Sequence, residues 1–446
     1  GEIPVHRFQD ILNSGTQINI PSVDIDVKKD VAVLIYTGGT TGVPKGVMLS
    51  HNNLVSNVKD TVTGLPFLKD INNVLSFLPV CHVFERMLHY LYIYSGITIH
   101  YAESIEKIAD NVKEVKPDFM SVVPRLLEKI YDSIIAKGTD LTGIKKLLFF
   151  WAVQVGLAYE PYGRNGWLYE KKLAIARKLI FSKWKQALGG NLNNMVSGSA
   201  ALQPRLTRIF TAAGMQILEG YGLTETSPVV SVNVYEGENF KVGTVGKPIA
   251  TVTVKREAAG EILVKGPNIM MGYYKDPKKT AEVMSGDYFH TGDKGEIDKE
   301  GFLKITGRKK EIFKTSGGKY ISPTLLENEM KQSRFIEQIL VIGEGQKMPA
   351  AILQPNFEFV KEWARRHNVD CGKTPEEIAT NKAVKDRIME EIEIGNQHFG
   401  KWEMIKRIKM TPEVWSVDNN LLTPTFKPKR EMILQKYKHL YTEIYG

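Results

Sequence analysis

"YTGGTTGVPKG", Tyr36–Gly46, sets four glycines, three threonines and a lysine within eleven residues. Glycines let backbone N–H groups turn inward and approach an anion closely, and a lysine among them adds a mobile positive charge. The stretch therefore reads as a phosphate loop, with a simple tight turn as the alternative. It is not the Walker loop, in which Gly-Lys is followed by Ser or Thr. Here Lys45 follows Pro44 and precedes Gly46.

Working outward, "VAVLIYT" (Val31–Thr37) is expected to be a buried strand running into the loop, and Ser50 or Asn52 to cap the helix after it. Strand-like "NVLSFLPV", "ITIHYA" and "PDFMSVVP" then alternate with helical "VFERMLHYLYIYSG" and "SIEKIADNVKEV". Such alternation implies a mainly parallel sheet with helical covers. From Leu141 to Gly189 the pattern is mostly helical, and Leu173, Ala176, Ile180, Trp184 and Leu188 share one face with lysines opposite. A helix covering the protein's own core is the simpler reading, and a basic amphipathic helix lying on a membrane is the other. "KVGTVGKPIATVTVKREAAGEILVKGP" follows as short strands of an antiparallel barrel or sheet. Beyond the basic "GRKKE" (Gly307–Glu311) come two strands, "IEQILVIGEG" and "MPAAILQP", with helices expected at 322–332, 375–395 and 429–441. The fold expected is thus α/β: a large domain over 1–308, with mainly parallel sheets, helices and a small β-barrel-like subdomain, then a small α+β domain over 309–446.

With 446 residues, 43% hydrophobic and 24% charged, the composition is that of an ordinary globular chain. Its longest apolar runs, such as "KLLFFWAVQVGLAY", fall short of a spanning helix, and no basic-then-apolar leader opens the sequence. Cys81 and Cys371 are too few for a disulfide framework and suit a reducing compartment, so a cytoplasmic location is expected, with peripheral membrane contact open. The net charge of +9 divides into 23 basic against 19 acidic residues from Lys309 onward and 36 against 31 before it. No long one-sign block stands out, so nucleic acid is not an expected partner, while small polyanionic ligands fit.

Four more polar islands stand out: "LPVCHVFER", "EGYGLTETSP", "YFHTGDKGEI" continuing to "GRKKEIFKTSGGKYISP", and "LLTPTFKPKR". Together with the glycine loop and "SGSAAL", in this order, they resemble the adenylate-forming superfamily, and within it the long-chain fatty-acyl-CoA ligases. The resemblance runs from Asp30 to Tyr445, and Gly38 stands where serine is usual in the family's phosphate loop. It implies that a fatty acid attacks ATP to give acyl-AMP and pyrophosphate, after which coenzyme A displaces AMP. Stabilisation of developing negative charge by cations and N–H groups would dominate such catalysis.

By the same resemblance, Thr37, Gly38, Gly39, Thr40, Thr41, Gly42 and Lys45 hold the β- and γ-phosphates. Glu225 ligates Mg²⁺ and Thr224 contacts phosphate, since a hard cation takes carboxylate beside phosphate oxygens. Tyr221, between Gly220 and Gly222, packs on adenine, although alone it reads equally as a core aromatic. Asp293 accepts from the ribose hydroxyls, helped by Arg308; alone it is a turn residue. Lys427 approaches the carboxylate and α-phosphate, with Lys429 and Arg430 as competitors. His82 gates or positions the acyl group, with a core histidine as the alternative. A Cys81–His82 nucleophile is disfavoured, because adjacent residues on a strand point to opposite faces. Gly198, Ser199 and Ala200 are small enough for the wall of an acyl tunnel, and equally for close packing. Lys310 stands at the hinge of a C-terminal domain that rotates between half-reactions, carrying Gly317 and Gly318 towards the pantetheine path.

The phosphate loop begins 36 residues from the start, which is Gly1 and not Met, whereas the family carries a substantial segment before it. The chain is therefore expected to be N-terminally truncated, with apolar surface exposed or differently paired. Three functions follow: the fatty-acyl-CoA ligase, an acyl-AMP ligase serving another acceptor such as a carrier protein, and a non-catalytic nucleotide- or acyl-binding protein.

Overall fold

A computed structural model describes residues 22–37, 44–423 and 426–446. Seven strands form the principal sheet, in the order Thr98–Tyr101, Asn73–Ser76, Phe119–Val122, Asn194–Ser197, Gln216–Gly222, Val229–Val232 and Lys247–Pro248. The first five run parallel, Val229–Val232 runs against them, and Lys247–Pro248, antiparallel to it, returns to their direction. Every residue of Phe119–Val122 and Asn194–Ser197 is buried, as for parallel strands covered on both faces. Apolar side chains from the sheet and its helices fill two large clusters, one containing Leu127, Phe181 and Phe210 and the other Leu91, Phe119 and Leu218.

The strand before the glycine loop departs from expectation. Val31–Thr37 is not part of that sheet. It turns back antiparallel onto Lys45–Ser50, with Thr37 opposite Lys45, and Lys45–Ser50 pairs in turn with Gly272–Tyr273. Val31, Leu34 and Tyr36 are exposed, so the continuous apolar run does not signify burial on both faces. Gly38, Gly39, Thr40, Thr41 and Gly42 lie outside the described residues. Ser50 caps the helix His51–Gly64: its hydroxyl accepts the Asn53 N–H at 3.1 Å, and the Asn53 side chain accepts the Ser50 N–H at 2.8 Å.

Helix Gly143–Leu157 and the helical run from Trp167 to Ala187 cover the core as the apolar periodicity predicts, with one shift. A wide turn at Arg177–Phe181 inserts a residue, so Phe181 and Trp184 continue the buried row begun by Leu173 and Ala176, and Ile180 is only partly buried.

The barrel-like subdomain is a five-stranded antiparallel sheet built on Thr253–Arg256, Glu261–Lys265, Tyr288–Ile297 and Leu303–Arg308, with the short Met284–Ser285 at its edge. After residue 309, Ile336–Ile342, Ala350–Pro355 and Ile408–Met410 form a three-stranded sheet with helices against it. Two expected helices are each divided. Pro375–Thr380 gives way to Lys382–Asn396 because the Asn381 side chain accepts the Val384 N–H at 3.1 Å and starts a new helix. Arg430–Lys436 and Lys438–Tyr445 break at Tyr437. Charged groups join this part to helix Pro124–Thr139: Arg125 pairs with Glu128 and Glu337, Lys331 lies 3.9 Å from Glu128, and Arg334 lies 3.7 Å from Asp132.

Candidate functional site

Asp293 and Arg308 face one another across the antiparallel pair Tyr288–Ile297 and Leu303–Arg308, with Arg308 Nε 3.2 Å from Asp293 Oδ1. The Tyr221 hydroxyl donates to Asp293 Oδ2 at 2.7 Å. Burial raises the Asp293 carboxyl above its ordinary pKa, and Arg308, the Tyr221 hydroxyl and Lys427 pull it back. Lys427, 134 residues later in sequence, sits within electrostatic reach of the same pair and of Glu311. Burial and the Arg308 charge push its ammonium down to about 8, against the pull of Asp293 and Glu311. Its competitors are engaged elsewhere: Lys429 bonds Asn420, and Arg430 grips both oxygens of Glu327.

His82 is not on a strand, so the strand argument against Cys81 does not apply. Instead His82 caps helix Val83–Tyr94, with Nδ1 accepting the Phe84 N–H at 3.3 Å, while Cys81 is exposed. An imidazole that accepts at Nδ1 carries its proton at Nε2. Burial first, and the Lys427 charge second, lower its pKa and favour that neutral form. One turn in, fully buried Glu85 takes the Ser76 hydroxyl at 2.6 Å and the Ser121 hydroxyl at 2.8 Å, which fixes this helix end to two neighbouring strands. Gly198 backs onto the same end: a Cβ there would stand 3.1 Å from the Phe84 ring, so a close approach explains that glycine. Ser199 follows at positive φ and Ala200 is exposed.

Tyr221 belongs to strand Gln216–Gly222 rather than to a turn; the turn is Thr224–Thr226, which holds Thr224 and Glu225. Gly222 admits nothing larger, since a Cβ would meet the Pro228 carbonyl at 1.8 Å. Gly220 lies opposite Val232 on the neighbouring strand. Glu225 Oε1 accepts the Tyr273 hydroxyl at 2.9 Å, and among the described residues nothing donates to its other oxygen. Lys45 Nζ lies 4.9 Å from the Tyr273 ring centre. Burial and the charges of Lys310 and Lys279 lower the Lys45 pKa, while Glu225 and Asp276 raise it. Three lysines thus gather beyond the glycine-rich stretch, beside a carboxylate with an oxygen to offer a hard cation. The donor set fits Mg²⁺.

Lys310 is exposed in the turn after Arg308. Gly317 and Gly318 form the tip of the hairpin Phe313–Lys314/Tyr320–Ile321, with no described contact to Asp293 or Lys427. Glu257, Glu261 and His290 could converge on a metal, but the Lys309 ammonium already occupies Glu261 Oε2 at 2.8 Å. Sequence reading missed Tyr273, Glu261, Lys279 and Glu311. "MGYYKDPKKT" carries a signal for two of them, a glycine-led aromatic pair before clustered lysines, whereas Glu261 looks like any charged strand residue.

Family profiles described as AMP-binding enzyme and AMP-binding enzyme C-terminal domain match residues 6–274 and 310–445. A long-chain-fatty-acid–CoA ligase from Mycobacterium bovis is 34% identical over 421 residues, covering 94% of this chain and 70% of its own length. The human long-chain-fatty-acid–CoA ligase 1 is 36% identical over 441 residues, covering 94% and 61%. In fold the chain resembles the adenylation domain of a carboxylate reductase from Mycobacterium chelonae, with TM-score 0.71, 21% identity and coverage of 98% and 63%. It also resembles ATP-bound MatB from Rhodopseudomonas palustris, with TM-score 0.65, 22% identity and coverage of 94% and 70%. The motifs, the sheet architecture and these matches agree: the chain belongs to the AMP-binding enzyme family.

Proposed function

We propose that the chain activates a long-chain fatty acid with ATP and Mg²⁺, giving acyl-AMP and pyrophosphate, and transfers the acyl group to coenzyme A with release of AMP. The observation that carries this reading is the position of Lys427, delivered from near the C-terminus to the Asp293–Arg308 pair and to neutral His82. Asp293 takes the ribose hydroxyls, steadied by Tyr221 and Arg308. Lys427 draws the fatty-acid carboxylate and the α-phosphate together and offsets the charge that builds as the new bond forms. Lys45, with Thr37 and the loop after it, holds the departing pyrophosphate. Glu225 would hold Mg²⁺, which neutralises phosphate charge when bound, and Thr224 contacts phosphate beside it. His82 offers an Nε2 proton to the acyl carboxylate, and Gly198, Ser199 and Ala200 border its path. Rotation of residues 309–446 about Lys310 withdraws Lys427, brings Gly317 and Gly318 inward and opens a way for the thiol. Peripheral contact with a lipid surface, where such fatty acids reside, belongs to the same proposal.

The test is AMP release with Mg·ATP across fatty acids of increasing length, with and without coenzyme A. Acyl-dependent release that coenzyme A stimulates supports the ligase. Release indifferent to coenzyme A points to another acceptor, and ATP binding without release ends the enzyme reading.

A further inference from the structure

The chain's positive charge is concentrated in one helical hairpin. Residues 143–187 hold nine Lys and Arg against two Glu, a balance of +7, whereas the other residues hold 50 against 48. One of the two acids, Glu160, is already paired with Arg208 at 2.7 Å. Helix Gly143–Leu157 and the run Trp167–Ala187 lie antiparallel: the Tyr169 hydroxyl donates to the Val155 carbonyl at 2.6 Å near one end, and the Phe149 and Trp184 rings stand 6.0 Å apart near the other. Their inner faces fill the core. Their outer faces expose Ile144 (74%), Leu147 (72%), Trp167 (65%), Leu168 (60%), Ile175 (51%) and Leu179 (43%). Leu168, Ile175 and Leu179 recur at helical spacing on one stripe, and Lys171, Lys172, Lys178 and Lys183 are exposed around them. Lys171 Nζ lies 4.4 Å from the Trp167 ring centre.

We infer that this hairpin face docks on an anionic lipid surface. Exposed Leu, Ile and Trp enter the acyl boundary while lysines extend outward to headgroup phosphates. A nucleic acid would satisfy the lysines but leave the aliphatic side chains in water, so the mixture of the two favours lipid. The inference deepens the ligase reading by naming the surface that faces the fatty-acid reservoir, and it rests on that reading for its purpose only.

Co-sedimentation of the full chain with vesicles, in the absence of ATP and fatty acid, tests it. Binding is expected with phosphatidylglycerol-containing vesicles and much less with phosphatidylcholine alone, and it should weaken as salt rises. Leu147→Ser/Leu168→Ser/Leu179→Ser and, separately, Lys171→Gln/Lys172→Gln/Lys178→Gln should each reduce binding about tenfold or more, with unchanged circular dichroism. Absence of binding to anionic vesicles overturns the inference, as does binding by either variant undiminished from that of the wild type. So does preference for an oligonucleotide over vesicles, or a dimer that the leucine variant dissolves. Vesicle binding without AMP release leaves this surface standing and ends the ligase reading; AMP release without vesicle binding does the reverse.

Discussion

Lys309 Nζ stands 2.8 Å from one oxygen of Glu261, and the other oxygen of that carboxylate accepts the Gly292 N–H at 3.1 Å. The Lys309 N–H closes the loop on the Gly292 carbonyl at 2.8 Å. One buried glutamate therefore braces the residue before Asp293 against the residue before Lys310. Glu261→Ala should lower kcat/KM for ATP about tenfold by loosening Asp293, and Glu261→Gln, which keeps an acceptor but loses the charge, should lower it less. Adenylation kinetics alongside a melting curve check this, and wild-type kinetics in a folded Glu261→Ala protein would remove the brace.

The hinge itself is tested at Lys310. Lys310→Pro should impair thioester formation more than adenylation when the half-reactions are followed separately. Equal loss of both would sink the assignment.

Lys427 is held down to about 8 by burial and Arg308, so the free enzyme loses this positive charge as pH rises through that value. Adenylation kcat/KM should fall along the same limb, and Lys427→Arg should flatten it, because guanidinium stays charged. Lys427→Ala should cost about a hundredfold in adenylation. A pH–rate profile of pyrophosphate release reads both.

Glu219, buried on the strand that carries Tyr221, has its carboxyl pushed up to about 8 by burial, against the Thr207 hydroxyl at 2.8 Å. The unfolded chain sheds this proton near the ordinary glutamate value while the folded chain keeps it until about 8. Stability therefore falls between those values as pH rises. Glu219→Gln removes the fall, so its stability advantage should widen by about 1 kcal/mol or more from pH 5 to pH 8. Urea melts at several pH values measure the gap; a constant gap would show that Glu219 does not titrate in this window.

Tyr273→Phe deletes the hydroxyl on Glu225 but keeps the ring beneath Lys45. The Mg²⁺ concentration needed for half-maximal activity should rise about threefold or more, since the carboxylate loses its orienting partner. An unchanged Mg²⁺ titration would count against Glu225 as the ligand.

How much of this was legible in the sequence depended on how local each cause is. Strand–helix alternation announced the parallel sheet, because a strand buried on both faces is apolar throughout. The same rule misjudged Val31–Thr37, where a continuous apolar run belongs to a hairpin that exposes Val31, Leu34 and Tyr36. The Ser50 cap was readable because cap and partner lie three residues apart. The wide turn at Arg177–Phe181 was not, since no residue type marks it and only the buried partners reveal the extra residue. In the site, residues with distinctive neighbours such as Tyr221, Asp293, Arg308 and Lys427 could be named from motifs. Glu261 and Tyr273 act through partners 48 residues away in each case, a pairing that only the folded chain displays.

The contact between helix Pro124–Thr139 and residues 331–337 is made by Arg125, Glu128, Asp132, Lys331, Arg334 and Glu337, with Asp132 Oδ1 and Arg334 Nε buried without hydrogen-bond partners. Groups of this kind regain hydration when they separate, whereas an apolar seam would bare greasy surface at every turnover. If residues 309–446 rotate as proposed, this seam parts more easily in concentrated electrolyte than in dilute buffer, and the balance between making the adenylate and consuming it would become a property that the ionic strength of the surroundings tunes.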